Sequence, residues 1–258
     1  MNKLNQLFRE KDSQILNIYF TAGYPTLNDT VPIIKALGEA GVELVEIGMP
    51  YSDPLADGAT IQASSQVALK NGMSLDILFN QIAEARNTTT MPFILMGYFN
   101  QVLQYGEEKF VKRAKESGVD GLILPDLPVE EYELHYKELF NKYDMNITFL
   151  ITPQTPDTRI KHIDEVSHSF IYMVSSNAIT GVKAGIDSIQ EAYFRRIEKM
   201  NLKNSRLIGF GISNKESFDQ ACRFAQGAII GSAFINALAK RTDVEGTVKE
   251  FVRSIRNG

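Results

Sequence analysis

Short apolar, β-branched runs recur along the chain. Each is followed by a longer stretch whose apolar residues come every three or four positions. The short runs predict strands over 15–21, 44–48, 93–96, 121–124, 146–151, 170–174, 206–210 and 227–230. The longer stretches predict helices such as 31–40, 62–71, 107–116, 130–141, 158–166, 189–200, 215–224 and 244–255. Leu4, Leu7 and Phe8 add a short helical stripe ahead of the first strand. Strict alternation of strand and helix implies parallel strands joined by crossover helices. The strands read as continuous apolar runs, not as an in/out alternation, so both faces of the sheet are covered. Eight units in 258 residues leave roughly 30 residues for each, which suits a βαβ step. No Pro/Gly/Ser-rich linker interrupts them. The expected fold is a single α/β domain over 1–258, a closed (β/α)8 TIM barrel with a short extra N-terminal helix. An open doubly wound sheet is the alternative.

Composition narrows the function. Lys and Arg total 27 against 31 Asp and Glu, a formal net charge of −4. That argues against a nucleic-acid footprint, which needs clustered excess cation. Cys222 is the one cysteine, so neither an intramolecular disulfide nor a cysteine metal site is expected, and a reducing, cytoplasmic setting fits. The charged N-terminus does not read as a signal peptide, and no apolar run approaches a membrane span.

In a closed barrel the chemistry sits at the C-terminal ends of the strands, so the unusual residues there matter most. Glu46 falls inside the second strand, between Val45 and Ile47. A buried carboxylate there must be paired or have a raised pKa. An acid–base role and an ordinary ion pair with a rim cation are both open. Glu43, at the other end of the strand, reads as a solvated residue on the stability face. Asp57 lies in a loop carrying Pro50, Pro54 and Gly58, where Asp-Gly is also a plain turn signal; Asp53-Pro54 shares that ambiguity.

Gly209, Gly211 and Gly231, with Ser213 and Ser232, follow the seventh and eighth strands. Glycines there let backbone amides approach an anion, and a helix start adds its dipole, the recurrent phosphate site of this fold. The stretch 172–186 is small, polar and glycine-containing, as a mobile lid would be. Tyr172 at its head points into either the mouth or the core.

Taken together, Leu44-Val-Glu-Ile-Gly48, Tyr51-Ser-Asp-Pro-Leu-Ala-Asp-Gly58, Leu95-Met-Gly-Tyr-Phe-Asn100, Pro125-Asp-Leu-Pro-Val-Glu-Glu131, Thr180-Gly181, Gly209-Phe-Gly-Ile-Ser213 and Gly231-Ser232 resemble the tryptophan synthase alpha subunit family nearly end to end. The resemblance implies a lyase that cleaves indole-3-glycerol phosphate to indole and glyceraldehyde 3-phosphate by a retro-aldol route. It implies that Glu46 is the acid–base residue and Asp57 its partner at the indole N–H. Tyr172 stands beside the glutamate, and Thr180 is a lid residue contacting the aspartate. The implied indole pocket is Tyr19, Leu95, Tyr98, Ile123 and Leu150, and the implied phosphate ligands are Gly181, Phe210, Gly211, Gly231 and Ser232. No metal or organic cofactor is implied in this chain; pyridoxal phosphate belongs to a beta subunit, the expected partner in an alpha2-beta2 heterotetramer. Docking is expected on the rim at 51–54 and 126–129. Alternatives within the same fold are a free-standing indole-releasing lyase, a non-catalytic activator of the beta subunit, and a sugar-phosphate isomerase. The chain departs from the family at Ser176 and Ala178, where the lid commonly has arginine and glycine, and at Gly97 and Gln101, where threonine and proline are frequent. The lid is therefore expected to stay open without substrate and partner, with Thr180 out of reach of Asp57.

Overall fold

The structure is a computed structural model that describes residues 2–55, 57–175, 188–209, 211–239 and 243–258. Its strands are β1 (Ile15–Thr21), β2 (Leu44–Gly48), β3 (Phe93–Met96), β4 (Gly121–Ile123), β5 (Asn146–Thr148), β6 (Leu150–Ile151), β7 (Phe170–Val174), β8 (Ser205–Gly209) and β9 (Gly227–Ile230). All pairings are parallel, in the order β5-β4-β3-β2-β1-β9-β8-β7-β6. β5 and β6 are separated only by Phe149. The two ends of the row thus belong to one stretch of chain, whose first part pairs with β4 and second with β7. The Tyr172 N–H donates to the Phe149 carbonyl at 3.0 Å across the break. The fifth expected strand is therefore one position in two pieces, and the barrel closes through it.

Inside and outside follow the strand period of two. Ile15 and Tyr19 of β1, Leu44 of β2, Ile94 of β3, Ile123 of β4, and Phe170 and Tyr172 of β7 form the inner cluster. Leu16, Ile18, Phe20, Val45 and Ile47 face the helices. The helix Thr30–Glu39 answers with Ile33, Ile34 and Leu37, all fully buried; each such side chain contributes about 1.5–3 kcal/mol.

Helices Leu75–Arg86, Phe99–Tyr105 and Ser232–Leu238 add to those expected from spacing. The helix after β4 contains a π-helical turn at Tyr132–Tyr136. Among the described residues no helix is long and apolar enough to cross a membrane.

The N-terminal helix Lys3–Glu10 closes the base of the barrel. Asn2 caps it by accepting from the Leu4 N–H at 2.9 Å and donates to the Asp120 and Asp144 carbonyls at 2.7 and 3.0 Å. Leu4 is fully buried and joins the inner cluster. Beside it, Asp120 accepts from the Phe93 N–H at 3.0 Å and from Arg86 at 3.2 Å, and the Arg86 guanidinium sits 3.4 Å over the Phe93 ring. Glu43 is not the solvated residue its position suggested. It pairs with Lys11 and Arg256 and accepts the Leu16 N–H at 2.8 Å, tying both ends of the chain to the first two strands. Conserving stability at this face leaves the opposite face to the chemistry.

Candidate active site

Glu46 lies across from Tyr19 in the β1–β2 register. Its place two residues after Leu44 turns it into the barrel, where it is 1 % exposed. Its carboxylate accepts from Asn17 Nδ2 at 3.0 Å, and among the described residues no lysine or arginine pairs with it. The open alternative of an ion pair is thus answered by a neutral amide. Burial is the main cause pushing the Glu46 carboxyl up to about 8; the Asn17 hydrogen bond opposes it and the negative charge of Asp57 adds to it.

Asp57 sits in a turn and also has its carboxyl partly buried on Tyr98. Its N–H donates to the Pro54 carbonyl at 3.1 Å, closing a turn, and Gln62 Nε2 donates to the Asp57 carbonyl at 2.8 Å. Its carboxylate is held by a hydrogen bond from Tyr98, and burial still raises it to about 6. Gln101, at a departure from the family, braces the same loop by donating to the Pro50 carbonyl at 3.0 Å. Tyr98 stacks on Tyr51 with ring centroids 5.1 Å apart.

Four of the five pocket candidates converge. Tyr19 and Ile123 belong to the inner cluster, Leu150 packs against it, and Tyr98 stands at the mouth on Asp57. Tyr172 joins the inner cluster, which answers the question of its direction. Leu95 does not converge. It is fully buried in the layer between sheet and helices, because on a strand its neighbours Ile94 and Met96 take the inner face. Met96 is therefore the β3 side chain at the mouth. Asn17 was also missed. Its signal was an amide inside an otherwise apolar strand.

On the opposite rim, Gly211 is exposed and has φ +79°, a left-handed conformation that favours glycine. Gly231 is the N-cap of the helix Ser232–Leu238 and, being glycine, supplies no side-chain cap to it. The preceding helix Lys215–Ala221 differs. Asn214 and Ser217 satisfy its first amides reciprocally, at 2.9 and 3.1 Å. Of the two serine-marked helix starts, the one at Ser232 is the one without a side-chain cap. Gly209 backs onto Tyr172, whose hydroxyl would lie 2.2 Å from any Cβ placed there. Ser175 is buried and donates its N–H to the Gly209 carbonyl at 3.2 Å. Thr180, Gly181 and Phe210, and the lid positions Ser176 and Ala178, lie outside the described residues.

The arrangement is an apolar, aromatic-walled barrel mouth with two carboxyls on one side and glycine-rich helix starts on the other. The family model described as tryptophan synthase alpha chain matches residues 5–257. The chain belongs to that family. It is 57% identical over 256 residues to the tryptophan synthase alpha chain of Flavobacterium johnsoniae, covering 99% of this chain and all of that one. It is 52% identical to that of Christiangramia forsetii, covering 99% of each. Among solved structures, the Legionella pneumophila tryptophan synthase subunit alpha superposes with a TM-score of 0.87 at 30% identity, covering 99% of this chain and 97% of that one. A chain of the Pyrococcus furiosus tryptophan synthase complex superposes with a TM-score of 0.85 at 33% identity, covering 95% and 98%. As a member of the tryptophan synthase alpha chain family, the protein is a lyase of tryptophan biosynthesis that cleaves indole-3-glycerol phosphate.

Proposed function

We propose that Glu46 and Asp57 divide the acid–base work of this cleavage, on one observation: two carboxyls in one mouth are pushed to different values, about 8 and about 6. At neutral pH Glu46 then carries a proton and Asp57 is mostly ionised, the division that two-carboxyl chemistry needs. Expelling an indolyl carbanion directly would be slow. Glu46 instead donates its proton to indole C3, and the ring becomes an electron sink whose N–H pairs with the Asp57 carboxylate. The Glu46 carboxylate takes the proton of the hydroxyl next to the scissile bond, the aldehyde C=O forms, and the C–C electron pair returns to the ring. The glutamate ends in its starting state, so the cycle balances without a metal or organic cofactor in this chain.

Tyr19, Met96, Tyr98, Ile123, Leu150 and Tyr172 would clasp the flat ring. The backbone around Gly211, Gly231 and Ser232 would hold the phosphate, supported by the uncapped helix start at Ser232. Asp53 and Asp126 are exposed, which suits a rim that docks a pyridoxal-phosphate beta subunit in a cytoplasmic alpha2-beta2 heterotetramer. Release of indole from indole-3-glycerol phosphate, assayed with and without a beta subunit, tests this reading. Turnover by Glu46→Gln would overturn the assignment of roles.

A further inference from the structure

The inner face of β1 carries a buried amide beside the buried carboxyl of Glu46. Asn17 is fully buried. It spends Nδ2 on the Glu46 carboxylate at 3.0 Å, while its Oδ1 is buried with no hydrogen-bond partner among the described residues. A buried acceptor without a donor is destabilising, and an apolar side chain would avoid it. An amide, however, presents a donor and an acceptor of nearly equal size, which half a turn about the last bond exchanges. We infer that Asn17 is a positioning residue for Glu46: it donates to the carboxylate and, turned over, accepts from the carboxylic acid, so that each state of the proton cycle keeps a partner. This rests on the acid–base reading of Glu46. Asn17 lies two residues deeper than Tyr19 on the same face, below the mouth, and acts through Glu46 alone.

The surroundings leave this work to Asn17. The loop after β2 brings Asp57, which repels the carboxylate. β1 and β7 bring the phenols Tyr19 and Tyr172, each raised by burial and further by the charge of Glu46. β3 sets Ile94 beside it. Among these groups the Asn17 N–H is the one that favours the ionised form.

The test is an NMR titration of the full chain with ¹³Cδ-labelled glutamate, Glu46 being assigned by its loss in Glu46→Gln. In Asn17→Val, which has neither donor nor acceptor, the Glu46 midpoint should rise by about one pH unit. The isosteric Asn17→Asp should raise it as well, and either variant suffices if the other does not fold. With indole-3-glycerol phosphate, kcat at neutral pH should fall severalfold, with about tenfold as the ceiling set by one pH unit of acid strength, and KM should stay within about twofold of the parent. A midpoint that stays put in a folded variant overturns the inference. So does a shifted midpoint with unchanged kcat. Turnover by Glu46→Gln is a different failure: it removes the catalytic reading of Glu46, whatever the midpoint does.

Discussion

Tyr98 holds the Asp57 carboxylate by a hydrogen bond while its ring stacks on Tyr51. The bond lowers a carboxyl that burial raises, so it keeps Asp57 ionised near neutrality. Tyr98→Phe keeps the stacked ring and removes the bond. Asp57 should then titrate about one unit higher, and the acid limb of the kcat/KM–pH profile should move up with it. Activity at pH 6 should suffer more than at pH 8. An unmoved limb would show that this bond does not set the charge of Asp57.

Glu46 also predicts a dependence of stability on pH. Its folded value, about 8, lies above the ordinary 4.5, so between those values the native state holds the extra proton. Stability from this group is full below about 4.5 and is lost as pH rises to about 8, a few kcal/mol in total. Glu46→Gln has no such slope. The difference in melting temperature, variant minus parent, should widen in favour of the variant from pH 5 to 8.5. A constant difference would mean that Glu46 ionises as easily in the native state as in the unfolded one.

Leu95 and Met96 are neighbours on opposite faces of β3. Leu95→Ala empties a site between sheet and helix and should cost about 2–5 kcal/mol in denaturant unfolding, with KM little changed. Met96→Ala should raise KM for indole-3-glycerol phosphate at a smaller cost in stability. The reverse pattern would put Leu95 back in the pocket.

Gly209→Ala would place a methyl group against the Tyr172 hydroxyl. The ring must shift away from the mouth, so kcat should fall at least tenfold in a variant that still folds. Gly211→Ala meets no neighbour within 4 Å but must hold φ +79°, at about 1–2 kcal/mol. Its effect should appear in KM through loosened phosphate binding. Normal kinetics in both would dissociate these glycines from the site.

At the base, Asp120→Ala leaves Arg86 and the Phe93 N–H without their carboxylate. Breaking such a buried pair should destabilise by about 3–5 kcal/mol, measured by urea unfolding. The kcat at 25 °C, below melting, should be unchanged. A large loss of kcat would mean that the base and the mouth are coupled.

Much of this was legible in the sequence because the period of two and the period of 3.6 are written in apolar residues. β1, β2, β3, β7 and β9 have the expected bounds, and Glu46 stood out as a charge in an apolar run. Leu95 was misplaced because a run such as Phe93-Ile-Leu-Met96 is apolar on both faces and gives no clue to which residue faces inward. The break at Phe149 was hidden because one apolar residue between two short strands leaves no mark of its own in the sequence. The environment of the Asp57 carboxyl needed the fold, since Asp-Gly reads as a turn and Tyr98 meets it from a distant part of the chain. Glu43 looked solvated because its partners, Lys11 and Arg256, come from the two ends of the chain.

The helix that plugs the base turns the barrel into a vessel. Among the described residues, Leu4 and the inner side chains above it pack the floor of the barrel behind the glutamate. Traffic of substrate and products is therefore expected at the opposite, catalytic face. Whatever covers that face therefore stands in the path of substrate and products alike.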